Sequence, residues 1–138
     1  MISRFEVLGE PGSKGRHRTT RTGRTYPDPK TVEYENLVRL SYQEQCGNYL
    51  EGELIAHIRA YFSIPKSFSR TKRQQAMDGK LHPTKRPDAD NIAKVVLDAL
   101  NGVAYHDDSQ IFSLSVHKRY SERPRVEVII GEREHGGT

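Results

Sequence analysis

The sequence predicts a single α+β domain, with a mainly antiparallel or mixed β-sheet and helices packed on one face. Three features carry this prediction. The segment Glu53–Ile64 alternates apolar and polar residues with the period of a strand. The segment from Asp90 to Asn101 carries Ile92, Val95, Val96, Ala99 and Leu100 at i, i+3, i+4, i+7 and i+8, a complete helical stripe. Glycine- and proline-rich punctuation separates the elements and yields the order β-α-β-(α)-α-β-β. At 138 residues with 34% hydrophobic content and no tryptophan, the chain suits one domain with a modest core.

Taken in order, "ISRFEVLG" (residues 2–9) reads as a strand ending at a Gly-Glu-Pro-Gly turn. Residues 10–30 read as a long basic loop with a hairpin near Thr22-Gly23, and a loop of this length in a small domain points to function. A helix follows from about Lys30 to Gly47, with Val32, Tyr34, Leu37, Leu40 and Tyr42 as its apolar positions and Glu33, Glu35, Arg39 and Glu44 exposed. In the strand 53–64, Leu54, Ala56, Ile58, Ala60 and Phe62 share one face. "KSFSRTKRQQAM" suits a short basic helix, and "DGKLHPTKRPD" returns to loop. After the striped helix, Asn101-Gly102 supplies a stop in which glycine takes the left-handed cap conformation. "IFSLSVHKRY" and "RVEVIIG" alternate around "SERP" and read as a C-terminal hairpin, with Phe112, Leu114, Val116, Val126, Val128 and Ile130 inward. The domain is expected to span residues 1–131, with 132–138 a frayed tail.

Charge is unevenly placed. The net charge is +4, and residues 11–30 and 65–87 hold 13 of the 22 Lys and Arg in under a third of the chain. Clustered basic charge in polar, glycine-rich segments is the footprint of a phosphate-backbone binder, and also of an ordinary solvated loop. No apolar run approaches the 18 or so residues that span a bilayer, and "MISRFEVLGE" lacks the apolar stretch of a signal peptide. Cys46 is the sole cysteine, which excludes an intramolecular disulfide and a cysteine zinc cluster. A cytoplasmic protein with no membrane partner is the expectation.

Within this basic chain, Asp88, Asp90, Asp107 and Asp108 gather around one short helix. Taken singly, Asp90 suits an N-cap, Asp88 a loop or cap, and the Asp107-Asp108-Ser109 run the turn that opens a strand. Taken together they make a different case. If the link Gly102–His106 leads the chain back along the sheet, the two pairs approach each other. Carboxylates about 4 Å apart repel by roughly 4 kcal/mol at an effective dielectric near 20. A hard divalent cation such as Mg²⁺ removes that repulsion and suits oxygen donors beside a phosphate. Lys94, four residues after Asp90 and four before Asp98, fits either a pair of i, i+4 ion pairs or an ammonium beside a scissile phosphate.

The run "KRPDADNIAKVVLDALNGVAYHDDSQI" resembles the RusA family of endodeoxyribonucleases, Holliday junction resolvases often carried by phages and prophages. The shared pattern is Asp-x-Asp-Asn (Asp88, Asp90, Asn91), a lysine three residues on (Lys94), "LDAL" (Asp98 to Leu100), then Asp-Asp-x-Gln and a β-branched residue (Asp107, Asp108, Gln110, Ile111). "GEPGSKGRHR" is similar to the family's N-terminal Pro-x-x-Lys-x-Arg loop, and "HPTKRPD" to its approach to the acidic pair. The resemblance covers most of the chain apart from the tail.

This resemblance implies a Mg²⁺-dependent homodimer, with Mn²⁺ able to substitute, that binds four-way junctions and nicks two opposed strands in recombination and repair, leaving 5′-phosphates. It implies metal-binding catalytic roles for Asp88, Asp90 and Asp108, with Asp107 an alternative third ligand, and a catalytic role for Lys94. A two-fold dimer matches the two-fold symmetry of a junction. Lys14, Arg16, Arg18, Arg73, Lys85 and Arg86 are the expected DNA contacts. His82 and His106 flank the acids as loop or supporting residues, and Phe68, Tyr26 and Tyr105 suit either base stacking or packing. Two other readings share many of these features. One is a nuclease acting on flaps and forks. The other is a non-catalytic junction-binding accessory protein whose aspartates are caps and turns.

Overall fold

The computed structural model describes residues 1–133. Residues 134–138, most of the expected tail, lie outside the described residues. Glu132 ends a strand, and Arg133 donates to the Glu53 carbonyl at 2.9 Å and pairs with the Glu53 carboxylate at the same distance.

Strand β1 (Ile2–Leu8) is followed by a two-residue hairpin, β2 (Arg18–Thr19) and β3 (Thr25–Tyr26). That hairpin turns at Thr20–Arg24, as expected, with Gly23 N donating to Thr20 O at 3.0 Å. Then come α1 (Pro29–Gln45), β4 (Leu54–Ser63), α2 (Arg70–Met77), α3 (Ala89–Ala99), a single 3₁₀ turn (Asp108–Gln110), β5 (Ile111–Ser121) and β6 (Arg125–Glu132). The main sheet is mixed, in the order β1-β6-β4-β5. β6 runs antiparallel to both β1 and β4, and β5 runs parallel to β4.

Register follows burial. Phe5 pairs with Val128, Val128 with Ile58, and Ile58 with Val116, so the apolar sides of four strands form one surface. Helices α1 and α3 cover it: Val38 and Tyr42 of α1 and Ile92, Val95, Val96, Ala99 and Leu100 of α3 lie in the same core cluster as that surface. The striped helix and the alternating strand 54–63 behave as their periodicity requires.

Two expectations are corrected. Strands β5 and β6 do not form a hairpin: β4 lies on one side of β6 and β1 on the other, so the Ser121–Arg125 turn steps across the end of β4. Val126, Val128 and Ile130 are fully buried and need a central position, whereas Phe112 and Leu114 are 55% and 46% exposed at the sheet edge. Helix α1 also turns another side inward. Thr31, Val38, Ser41 and Tyr42 are buried, and Val32, Leu37 and Leu40 face outward. Apolar residues occur all round this helix, so its own periodicity does not select a face; packing against β1 and α3 does.

Candidate active site

The site is built around the first turns of α3. Asp88, not Asp90, is the N-cap, with extended dihedrals of −69° and 153°, and its backbone carbonyl accepts the first helical bond from Ile92 N at 3.0 Å. Its carboxylate accepts no capping hydrogen bond. Asp90 lies in the first turn. Both side chains are exposed and, with Lys94, join none of the ion pairs among the described residues. Lys94 therefore closes neither of the i, i+4 pairs its spacing permits. Uncommitted charges on a helix that a buried stripe otherwise holds in place are available to a ligand.

The return from the far end of α3 is a tight turn. Gly102, at φ 74°, takes a conformation that side chains rarely adopt, and its N–H donates to Tyr105 O at 2.8 Å. Tyr105 is fully buried, and its hydroxyl donates to Leu97 O at 2.7 Å, fastening the turn to the helix. The two aspartates that follow then part. Asp107 caps the 3₁₀ turn: its Oδ2 accepts from Ser109 N at 2.9 Å while Gln110 Oε1 accepts from Asp107 N at 2.9 Å. The hydrogen bonds from Ser109 hold the Asp107 carboxyl below the ordinary carboxylate range. Asp108 N donates to Asn101 Oδ1 at 2.8 Å, and the Asp108 carboxyl reaches α3 at Asp98.

Asp90, Lys94, Asp98 and Asp108 thus line one cleft of about 300 Å³, floored by Ala93, Leu97, Ile111 and Leu114. The Asp108 pKa is raised by partial burial, then by the hydrogen bond and charge of Asp98 and the charge of Asp107, with Asn101 acting in the other direction. The chain does fold back, but Asp108 meets α3 at Asp98, two turns beyond the start of the helix.

Asp88 faces the other side. With Asn91, Arg86 and Pro87 it lines a second cavity, of about 720 Å³, whose opposite wall is the loop 11–16 together with Asp28, Lys30 and Tyr34. Gly12 lies flat against the Tyr34 ring, where a Cβ would collide with the aromatic carbons. The Tyr34 hydroxyl is buried with no well-aligned hydrogen-bond partner among the described residues, and burial, only weakly opposed by the nearby Gly12 backbone, pushes its pKa up to about 12. Lys30, Asn91 and Tyr34 were not singled out as site residues from sequence. Asn91 stands inside the acidic motif, but nothing local marks Lys30 or Tyr34 as neighbours of Asp88.

The expected DNA contacts divide. Arg16, Lys85 and Arg86 join no ion pair among the described residues, and Arg16 and Arg86 line the Asp88 cavity. Lys14 is committed to Glu35 and Asp98, Arg18 to Asp28 at 3.3 Å, and Arg73 to Glu122 at 3.4 Å. His106 lines a groove with Tyr49–Glu53 and Asp107, away from the Asp90 cleft, and His82 is an exposed loop residue. Phe68 packs edge-to-face on Tyr120 at 5.6 Å, so it and Tyr105 serve packing, while Tyr26 is 40% exposed.

All the donors facing the cleft are carboxylate oxygens, the chemistry of Mg²⁺ and Mn²⁺ rather than zinc. Among the described residues, no three His, Cys, Asp or Glu side chains stand together as a ready-made metal site. Mg²⁺ asks for less: one or two carboxylates, with water and substrate phosphate completing its shell. Asp90 and Asp108 across one cleft fit that requirement. Among the described residues, no helix is long and apolar enough to cross a membrane.

Comparison with known proteins adds two findings. The sequence profile described as "Endodeoxyribonuclease RusA" matches residues 9–131. "Uncharacterized protein YqaN" of Bacillus subtilis (strain 168) is 40% identical over 135 residues, covering 94% of this chain and 95% of that protein.

Proposed function

This chain belongs to the RusA family of endodeoxyribonucleases, and from that premise we propose that it is a Mg²⁺-dependent resolvase that, as a homodimer, nicks two opposed strands of a four-way DNA junction. The observation that carries the reading is the cleft in which Asp90 and Lys94, neither committed to an ion pair among the described residues, face Asp108 beside a cavity walled by Arg16 and Arg86. A protein that only bound DNA would gain nothing from uncommitted carboxylates there, since they repel phosphate.

Each residue has a task in this reading. Asp90 and Asp108 would hold the divalent cation, while Asp88 faces the neighbouring cavity. The bound ion supplies charge neutralisation at the phosphate and a water of lowered pKa. Lys94 places its ammonium on the same face as Asp90, where it stabilises negative charge that develops on phosphate oxygens. Arg16, Lys85 and Arg86 track the backbone and supply salt-dependent affinity. Asp107, already used as a cap, takes no part as a ligand. Two copies related by a two-fold axis present two such sites to two equivalent strands.

The test compares a synthetic four-way junction with a linear duplex, in Mg²⁺ and in EDTA, for wild type and Asp90→Asn. Paired nicks on the junction, in Mg²⁺ only, with Asp90→Asn still binding, are expected. Equal cutting of linear duplex sinks the resolvase reading, and cutting of flaps and forks in preference to junctions replaces it with a broader nuclease. Undiminished cutting by Asp90→Asn sinks the site assignment. Binding without cutting by the wild type leaves an accessory binding protein.

A further inference from the structure

Lys14 lies in the middle of the basic loop, yet its ammonium points into the protein. It donates to Glu35 Oε2 of α1 at 3.0 Å and pairs with Asp98 Oδ2 of α3 at 3.3 Å, and the side chain is only 24% exposed. Burial alone would lower its pKa, but hydrogen bonds and charge from Glu35 and Asp98 outweigh that and raise it. The loop closes tightly around this contact. Gly12 lies against Tyr34 on one side, and Gly15 N donates to Thr31 Oγ1 at 2.8 Å on the other. Asp98, the partner of Lys14, lines the same cleft as Asp108, and its hydrogen bond and charge help to raise the Asp108 pKa. One continuous line of polar contacts runs from the loop through Lys14 and Asp98 to Asp108.

We propose that Lys14 and Asp98 are positioning residues of the nuclease site: the Lys14 ammonium holds the Asp98 carboxylate in place, Asp98 orients Asp108, and the same contact seats the loop that carries Arg16 over the Asp88 cavity. This rests on the nuclease reading above. Lys14 is then not a phosphate contact, although it stands in a run of basic residues. A lysine engaged by two carboxylates must break both to reach DNA. Asp98 and Asp108 side by side repel when both are ionised, and the cation on Asp98 offsets that repulsion and keeps Asp98 turned towards Lys14. Asp108 is left supported on one side and open on the other. Groups that orient a ligand in this way are worth about 10- to 100-fold in metal affinity or activity.

Three measurements test the proposal. In the metal-free protein without DNA, amide hydrogen exchange over residues 12–16 speeds up in Lys14→Met and, less, in Asp98→Asn, which leaves the Glu35 contact in place; the double variant adds little to Lys14→Met, as a shared Lys14–Asp98 contact requires. On a four-way junction at saturating DNA, either variant lowers turnover about 10- to 100-fold and raises the Mg²⁺ concentration needed. The slope of log affinity against log salt stays at the wild-type value even if affinity itself falls, because a loosened loop still delivers the Arg16 charge to the phosphate on binding and Lys14 made no such contact. Lys14→Arg, which keeps a cation between the two carboxylates, recovers much of the turnover.

A Lys14→Met protein whose salt slope drops by about 0.9 with unchanged turnover overturns the proposal, since Lys14 is then a phosphate contact. Faster exchange with turnover and Mg²⁺ requirement intact also overturns it, because the tie is then purely structural. A wild type that cuts no branched DNA defeats the nuclease reading, and the exchange measurement still decides by itself whether the tie exists. Should Lys14→Met fail to fold, the near-isosteric Asp98→Asn carries the same three readouts.

Discussion

Tyr105→Phe isolates one hydrogen bond that places the second pair of aspartates. The ring stays in the core, where Tyr105 is fully buried, and only the hydroxyl that donates to Leu97 O at 2.7 Å is removed. A net intramolecular hydrogen bond contributes about 0.5–1.5 kcal/mol, and a buried acceptor left alone costs more. Leu97 O retains a longer bond from Leu100 N at 3.3 Å, so the penalty for an orphaned carbonyl is only partial. About 1.5 kcal/mol is the expected loss. At about 2.1 cal/mol/K per residue, a chain of 138 residues unfolds with roughly 0.3 kcal/mol/K, so Tm falls by about 5 °C. Urea unfolding followed by far-UV circular dichroism reads the same change as a lower midpoint at constant m-value. A loss below about 0.5 kcal/mol would refute the idea that this hydroxyl fastens the turn. A loss above about 3 kcal/mol would show that the ring itself had moved.

Stability should fall as pH rises above 10. The Tyr34 pKa is raised from 10.0 to about 12 by burial and that of Tyr105 is raised by burial and then by Asp108, so the native state retains protons that the unfolded chain releases. The stabilisation is complete below pH 10 and is lost as pH climbs through the folded values. For Tyr34 it amounts to about 2–3 kcal/mol by pH 12, and Tyr34→Phe should flatten that part of the profile in denaturant titrations. Gly12→Ala forces a methyl group into the Tyr34 ring and should cost about 1–3 kcal/mol by thermal melting. Lys94→Met removes an exposed ammonium that joins no ion pair among the described residues. It should leave Tm within about 1 °C while lowering single-turnover junction cleavage by about 100-fold or more. A matching loss of stability would show that Lys94 holds the fold instead.

How much of this was legible beforehand differs from element to element. The stripe of α3 and the alternation of β4 name their buried faces unaided, because each side chain's direction follows from the local helical or strand repeat. The run of Asp88, Asp90, Lys94 and Asp108 was legible as a motif, but not that Asp88 would face a separate cavity from Asp90, Lys94 and Asp108. The β5–β6 pairing was not: alternation states which face of a strand is apolar but not which strand lies beside it. A turn of four residues suits a hairpin equally well as a step across a neighbour. Helix α1 failed for another reason, since apolar residues on several sides leave the choice to its neighbours β1 and α3.

For the site, the sequence by itself determined the chemistry: hard oxygen donors, a lysine at helical spacing and a basic approach on either side. Only the tertiary structure decided how those groups are used. Asp88 became the cap without spending its carboxylate, Asp107 spent its own, and Asp108 was carried to Asp98 rather than to the start of α3. Lys14 was drawn inward by Glu35 and Asp98, which lie 21 and 84 positions further along the chain. Charge and spacing along a chain are local properties. Which carboxylate meets which ammonium depends on contacts between distant segments, and those exist only once the sheet and its two covering helices have closed.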